Sequence, residues 1–255
     1  MQTQRAVRLL QLTDTHLLGR RDALLYGICT YDTLQATLAD AEKRYPGHEG
    51  ILLTGDLVHD DAAGYALIRE MFSDSQVPVY CIPGNHDLPD AMRQALTDHP
   101  FVLDTHCILH NWLVVLLDST RENHVGGRLG PEQLQHLDVL LQQHPQHHTL
   151  ICLHHHPIKM QSQWLDEIGL ADGQAFHECI QRHQQVRGVL WGHVHQSLDK
   201  IIEGVHYMAT PSTCAQFLPH SEEFTVTVQP PGYRTLELCT DGTIRTEVIR
   251  LESTK

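Results

Sequence analysis

The 255-residue chain is 41% hydrophobic and long enough to bury a full core without disulfide or metal staples. Its formal charge of −13 argues against a nucleic-acid groove or an anionic membrane as partner, since both reward excess Lys and Arg. The seven cysteines are odd in number, scattered through apolar runs and without a C-x-x-C pattern, which reads as buried thiols in a reducing compartment. No apolar leader opens the chain and no run reaches transmembrane length, so a cytoplasmic location is expected.

Val7 to Leu12 reads as a strand ending in Thr13-Asp14-Thr15-His16. An Asp and a His two positions apart on extended chain can face the same side, as two ligands of one ion must. Tyr31 to Arg44 carries apolar residues at 31, 34, 38 and 41, the period of a crossover helix. Gly50 to Thr54 is a short strand, apolar on both faces as in a sheet covered by helices, and stops at Gly55-Asp56. A helix over Ala62 to Phe72 leads to the strand Val77 to Ile82, which delivers Pro83-Gly84-Asn85-His86-Asp87. Pro fixes one φ of that turn, and Gly84 is expected to supply a conformation other residues avoid.

Asp90 to Leu96 is a short helix, Trp112 to Ser119 a buried strand, and Arg121 to Gly130 a Gly-rich loop. Pro131 opens a helix through Leu134, Leu137, Leu140 and Leu141. The strand Thr149 to Leu153 runs into His154-His155-His156-Pro157. Ile158 to Asp172 lacks a clean period and reads as a functional loop or partial lid. After a helix over Phe176 to His183, the strand Val186 to Trp191 ends in Gly192-His193-Val194-His195. Val205 to Thr210, Arg234 to Leu238 and Thr246 to Leu251 are further strands, the last two joined by an Asp241-Gly242 turn. No repeat, low-complexity tract or linker interrupts the chain, so one domain over residues 1–255 is expected.

Strands alternating with helices imply a largely parallel sheet core, whose ligand sites lie beyond the carboxyl ends of the strands. Asp14 with His16, Asp56, Asn85 with His86, His155, and His193 with His195 all fall at such ends. These hard or borderline oxygen and nitrogen ligands suit Fe, Mn, Zn or Co.

The ordered blocks D-x-H, G-D, G-N-H-D, H-x-P and G-H-x-H resemble the calcineurin-like metallophosphoesterase superfamily. Ala209 to Cys214 with Gln216-Phe217, Pro231 to Leu238, Leu153 to Pro157 and Trp164 to Asp166 extend the likeness to the class III bacterial 3′,5′-cyclic AMP phosphodiesterases. The resemblance implies an α/β fold, a four-layer α/β/β/α sandwich of two mixed sheets flanked by helices. It implies a dinuclear centre of Fe and/or Mn, with Zn or Co as alternatives. Asp14, His16 and His195 would hold one metal, Asn85, His155 and His193 the other, with Asp56 bridging. His155 is taken among the three consecutive histidines because the family's ligand precedes Pro by two positions.

The implied reaction is hydrolysis of cyclic AMP to 5′-AMP, a bridging hydroxide attacking phosphorus in line. Two divalent ions, two aspartates and that hydroxide sum to +1, which a cyclic phosphodiester neutralises. The implied substrate contacts are His16, Asp56, Asn85, His86 and His195. His86, held by the turn and by Asp87, would act on the departing 3′ oxygen as general acid or electrostatic stabiliser. Ser212, Thr213, Cys214 and Gln216 are candidates for a base or sugar pocket or for a turn packed on the sheet, and His59 for a reach to the phosphate. Alternatives are a broader phosphodiesterase or phosphomonoesterase of the superfamily, or a non-catalytic metal-binding scaffold. The expected partner is a small cyclic nucleotide, with monomer and homodimer both open.

Overall fold

Alternating side chains dictate how these strands stack. In Val7–Leu12, Val7 and Leu9 face one way and Leu10 and Leu12 the other. The same split separates Leu52 from Ile51 and Leu53, and Trp112, Val114 and Leu116 from Leu113 and Val115. Strands apolar on both faces need cover on both. The computed structural model, which describes residues 5–252, supplies it with two six-stranded sheets packed face to face and helices outside each.

The first sheet runs, edge to edge, Ile244–Arg250, Gly232–Leu238, Val7–Leu12, Gly50–Thr54, Val79–Ile82, Phe101–Val102; the last four are parallel and the first two antiparallel additions. The second runs Leu198–Ile202, Val205–Ala209, Val186–Trp191, His148–Cys152, Trp112–Leu116, His106–Leu109, with four parallel strands at its centre and an antiparallel strand at each edge. Leu9, Leu52 and Tyr80 meet Val114, Leu150, Leu190 and Met208 between the sheets. Helices Thr30–Arg44, Gly64–Phe72 and Pro89–Ala95 cover the first sheet through Leu34, Ile68 and Met92; Gly130–Gln143, Gln163–Asp166 and Gly173–Gln181 cover the second through Leu137, Leu165 and Phe176. This is the expected four-layer sandwich of mixed sheets.

The edge strand Leu198–Ile202 escapes sequence reading because its centre is exposed and carries no apolar alternation. Two small hairpins outside the sheets, Leu24–Leu25 with Ile28–Cys29 and Gln216–Phe217 with Val226–Thr227, are equally unheralded. The stretch from Ile158 to Asp172 is no free loop. It contains the helix Gln163–Asp166, and its backbone is tied down where Met160 N donates to Asp166 (2.7 Å) and Leu170 N to His156 O (2.9 Å). All seven cysteines are free. Among the described residues no helix is long and apolar enough to cross a membrane.

Candidate metal centre

The parallel strands of both sheets deliver their carboxyl ends to one place. Asp14 N donates to Gly55 O (3.0 Å), His193 N to the Asp14 carboxylate (3.0 Å), and Gly192 N to His154 O (3.2 Å), so tips from the two sheets are bonded directly to one another. Such tips turn away from the strand direction within one residue, and the backbone shows it. Asp14, His16, Asp56, His193 and His195 all have positive φ, between 46° and 66°. For residues with a Cβ this conformation costs on the order of 1–3 kcal/mol each, and it persists where the surroundings impose it.

Asp14, His16 and His195 form a buried group whose ligand atoms lie within 4.8 Å of one another. His195 Nδ1 donates to Ala215 O (2.7 Å), which leaves the lone pair on Nε2, 3.1 Å from His16 Nε2 and 3.3 Å from Asp14. Facing nitrogens at 3.1 Å match the edge expected between two ligands each ~2.0–2.1 Å from one ion. His16 then carries its proton on Nδ1, 3.1 Å from His59 Nδ1, so His59 plays the accepting part that main-chain carbonyls play elsewhere in the site.

A second buried group joins His154, His155 and His193, their ligand atoms within 4.8 Å of one another. His154 Nδ1 donates to Thr54 O (2.8 Å) and leaves Nε2 3.3 Å from both Asp56 Oδ2 and Asn85 Oδ1. His193 Nε2 donates to Ile168 O (3.1 Å), freeing Nδ1, and its ring centre is 5.1 Å from that of His154. Asp56 Oδ2 also lies 3.7 Å from His16 Nε2, so this carboxylate stands between the two groups. His155, although buried beside them, has both ring nitrogens taken: Nε2 donates to Val125 O (3.0 Å) and Nδ1 accepts from Ser119 Oγ (2.8 Å). His156 packs against the His193 ring with neither nitrogen bonded.

Burial holds His16, His155 and His193 well below the ordinary imidazole range, the neutral form that ligation requires. His154 goes the other way. Burial opposes its charge, but the adjoining Asp56 carboxylate outweighs burial and raises its pKa. Burial would likewise raise Asp56, yet His154 and His16 hold it well below the usual carboxylate range. The Asp56 carboxylate is thereby kept charged between its two histidine neighbours.

His86 lines the same cavity, of about 170 Å³, with Nδ1 3.1 Å from Asp60. The expected support from Asp87 is absent. That carboxylate is buried and accepts from Gly84 N (2.8 Å), Leu57 N (3.1 Å), Val58 N (3.3 Å) and Tyr65 OH (2.9 Å), tying one loop to the next. Gly84 also differs from expectation: its φ is not positive, and glycine is needed because a Cβ would run into Asp56 and His154. Ser212 Oγ donates to Asp14 O (2.7 Å), and Gln216 Nε2 to Ser212 O (2.8 Å), while Thr213 and Cys214 are buried. They form a packed turn beneath the site and leave the cavity wall to others. Tyr26, Trp164, Phe217 and Phe224, which sequence reading did not assign to the site, line it instead.

Asp14, His16, Asp56, Asn85, His154, His193 and His195 stand together as oxygen and nitrogen donors, with the tautomers of His154, His193 and His195 fixed by carbonyls, and such a set fits transition-metal cations. Comparison with known proteins agrees. The calcineurin-like phosphoesterase family matches residues 7–197. The chain is 38% identical over 251 residues to the Escherichia coli K12 3′,5′-cyclic adenosine monophosphate phosphodiesterase CpdA, covering 98% of this chain and 91% of that one. It is 35% identical over 246 residues to the Nostoc 3′,5′-cyclic-nucleotide phosphodiesterase alr5338, covering 96% and 92%. Among solved structures, a dimetal phosphatase from Danio rerio superposes with TM-score 0.67 at 14% identity, covering 97% and 99%. GAP50, the anchor in the inner membrane complex of Plasmodium, superposes with TM-score 0.68 at 12% identity, covering 97% and 85%. A shared fold at such identities shows the fold alone, whereas the family match and the sequence relatives show more: the chain belongs to the calcineurin-like phosphoesterase family.

Proposed function

We propose that this protein hydrolyses 3′,5′-cyclic AMP to 5′-AMP at a two-cation centre, with Asp14, His16 and His195 holding one ion and Asn85, His154 and His193 the other. Asp56 bridges them. The observation that carries this reading is the convergence of seven donors from both sheets, five of them lining one cavity, in a chain aligned almost end to end with relatives named for cyclic nucleotide hydrolysis. His154 replaces His155 in this assignment because His154 alone has a free lone pair facing Asp56 and Asn85.

The all-oxygen-and-nitrogen set favours Fe and/or Mn, with Zn or Co accepted. The chemistry such cations supply when bound is Lewis-acid stabilisation of phosphate charge and a water pKa lowered toward neutrality. His86 does the work of the leaving side. Its Nδ1–H is held by Asp60, and the ring lines the cavity that would take the departing 3′ oxygen. Six of the seven donors are buried and Asn85 is half-buried, which limits bulk water around them.

The shared inter-sheet core supports reading residues 1–255 as one domain, and seven free cysteines support a reducing, cytoplasmic setting.

The test compares His154→Ala with His155→Ala by metal analysis and cyclic AMP turnover. The expected outcome is loss of about one metal equivalent and at least a hundredfold of activity for His154→Ala, with His155→Ala keeping both metals. Equal metal loss in the two variants defeats the assignment. Metal-replete protein that hydrolyses other phosphate esters but not cyclic AMP defeats the substrate.

A further inference from the structure

Of the five phenylalanines, Phe72 and Phe101 lie in the core beneath the first sheet and Phe176 in the core beneath the second. The other two, Phe217 and Phe224, sit on the small hairpin Gln216–Thr227 outside both sheets, and both face the cavity above the metal donors. Phe217 stacks flat on His195, ring centres 3.9 Å apart and planes 9° apart. Phe224 follows at 5.0 Å from Phe217, Trp164 lies 5.3 Å from each, and Tyr26, from the other small hairpin, is 5.5 Å from Phe224. Three separate chain segments thus build one aromatic wall that starts at a metal ligand and ends in solvent. Tyr26 is 51% exposed and Phe224 48%, so the wall keeps apolar surface open that a folding role alone would bury.

We infer that the wall formed by Tyr26, Trp164, Phe217 and Phe224 is the seat of the purine base, which it holds by stacking. This rests on the cyclic nucleotide reading of the same site. A cyclic nucleotide has an anionic ring at one end and a planar π-face at the other. The cavity has the matching polarity, with Asp56, Asn85, His86 and His193 at one end and four aromatic rings at the other. Two of the polar side chains that could have read the base's edge from beneath are already spent, Ser212 on Asp14 O and Gln216 on two carbonyls and on Arg250. Stacking reads the face of a base and tolerates changes at its edge, so adenine and guanine draw on the wall alike.

The experiment measures kcat/KM of the metal-replete protein on cyclic AMP, cyclic GMP and an abasic ribose 3′,5′-cyclic phosphate. Removing one stacking ring is expected to lower the preference for each cyclic nucleotide over the abasic analogue about tenfold in Phe224→Ala, within the usual range for base–aromatic stacking. Phe224→Trp retains the preference. An equal loss on all three substrates makes the wall a mere support for the hairpin and overturns the inference; no change places the base elsewhere and does the same.

A second arm does not depend on turnover. Trp112 and Trp191 are fully buried, so a change in tryptophan emission on titrating 5′-AMP reports Trp164. The expected quenching disappears in Trp164→Phe, and its midpoint rises about tenfold in Phe224→Ala. Quenching by 5′-AMP in a protein that hydrolyses neither cyclic nucleotide upholds the base seat while the substrate assignment falls. No quenching in the unmodified protein overturns the seat whatever the turnover.

Discussion

His86 and Asp60 pair in a way that predicts how the reaction depends on its leaving group. The 3′ alkoxide of a cyclic nucleotide is a poor leaving group and gains from a proton in the transition state, whereas a p-nitrophenolate departs without one. Asp60 accepts from His86 Nδ1 at 3.1 Å, and His86 N donates to Asp56 (2.8 Å), so ring and backbone are both fixed without the ring itself being needed to bind metal. His86→Ala should therefore lose about 10²–10⁴-fold on cyclic AMP, the usual worth of a positioned acid, and markedly less on a p-nitrophenyl diester. Metal content measured alongside should stay at the unmodified level. Equal losses on both substrates, or an emptied site, would remove His86 from that role.

At the scale of the strand tip, one glycine decides whether the groups can meet. Gly55 has φ +94°, and a Cβ there would collide with the His154 ring and approach Gly84 N at 2.9 Å. Gly55→Ala carries both penalties, a strained backbone of ~1–3 kcal/mol and a displaced His154. The expected outcome is lower thermal stability together with loss of about one metal equivalent, read by calorimetry and metal analysis; a protein that keeps both ions at full stability contradicts the placement of His154. The same element explains what the sequence made legible. D-x-H, G-D, G-N-H and G-H-x-H could be read because each stands at the end of an apolar run. The proposed preference for His154 over His155 also has a basis in strand period, as against distance to Pro157. Leu150 and Cys152 face the other sheet, so His154, two further on, continues that face, while His155 goes to the helix side with Ile151 and Leu153. The aromatic wall gave no such signal. Phe217 comes from a two-residue strand, Trp164 from a one-turn helix, and Tyr26 and Phe224 from the connections of the small hairpins, all too short to show any period, and their partners are remote in the chain.

Across the whole molecule, two devices fasten one sheet to the other. The first is Arg234, buried completely, which leaves Gly232–Leu238 to donate to Asp199 (2.9 and 3.0 Å), Ala209 O (2.8 Å) and Thr210 (3.0 Å) on the second sheet's side. Burial alone would raise the Asp199 pKa, but bonds from His206 and Arg234 outweigh it and hold it below the usual value. An acid depressed in the folded state contributes stability that is present above its unfolded pKa of ~3.9 and lost as pH falls through the folded value. Asp199→Asn should accordingly lower the melting temperature near neutrality and flatten its decline below about pH 4; an unchanged acid limb would show that Asp199 does not carry it. The second device, on the proposed assignment, would be the metal centre itself. Asp14, His16, Asp56 and Asn85 come from tips of the first sheet, and His154, His193 and His195 from tips of the second, so cations shared between them bind the folded state and have no comparable site in the unfolded chain. At 100-fold excess over its dissociation constant one such ion adds about 2.7 kcal/mol, which in a chain of this size corresponds to roughly 5–10 °C. Chelation followed by calorimetry should lower the melting temperature by at least that amount, and Mn or Fe added back should restore it in proportion to the logarithm of free metal. A chelated protein that melts where the loaded one does would mean that the two sheets are held by their cores alone, and that the seven donors do not share their ions across the sandwich.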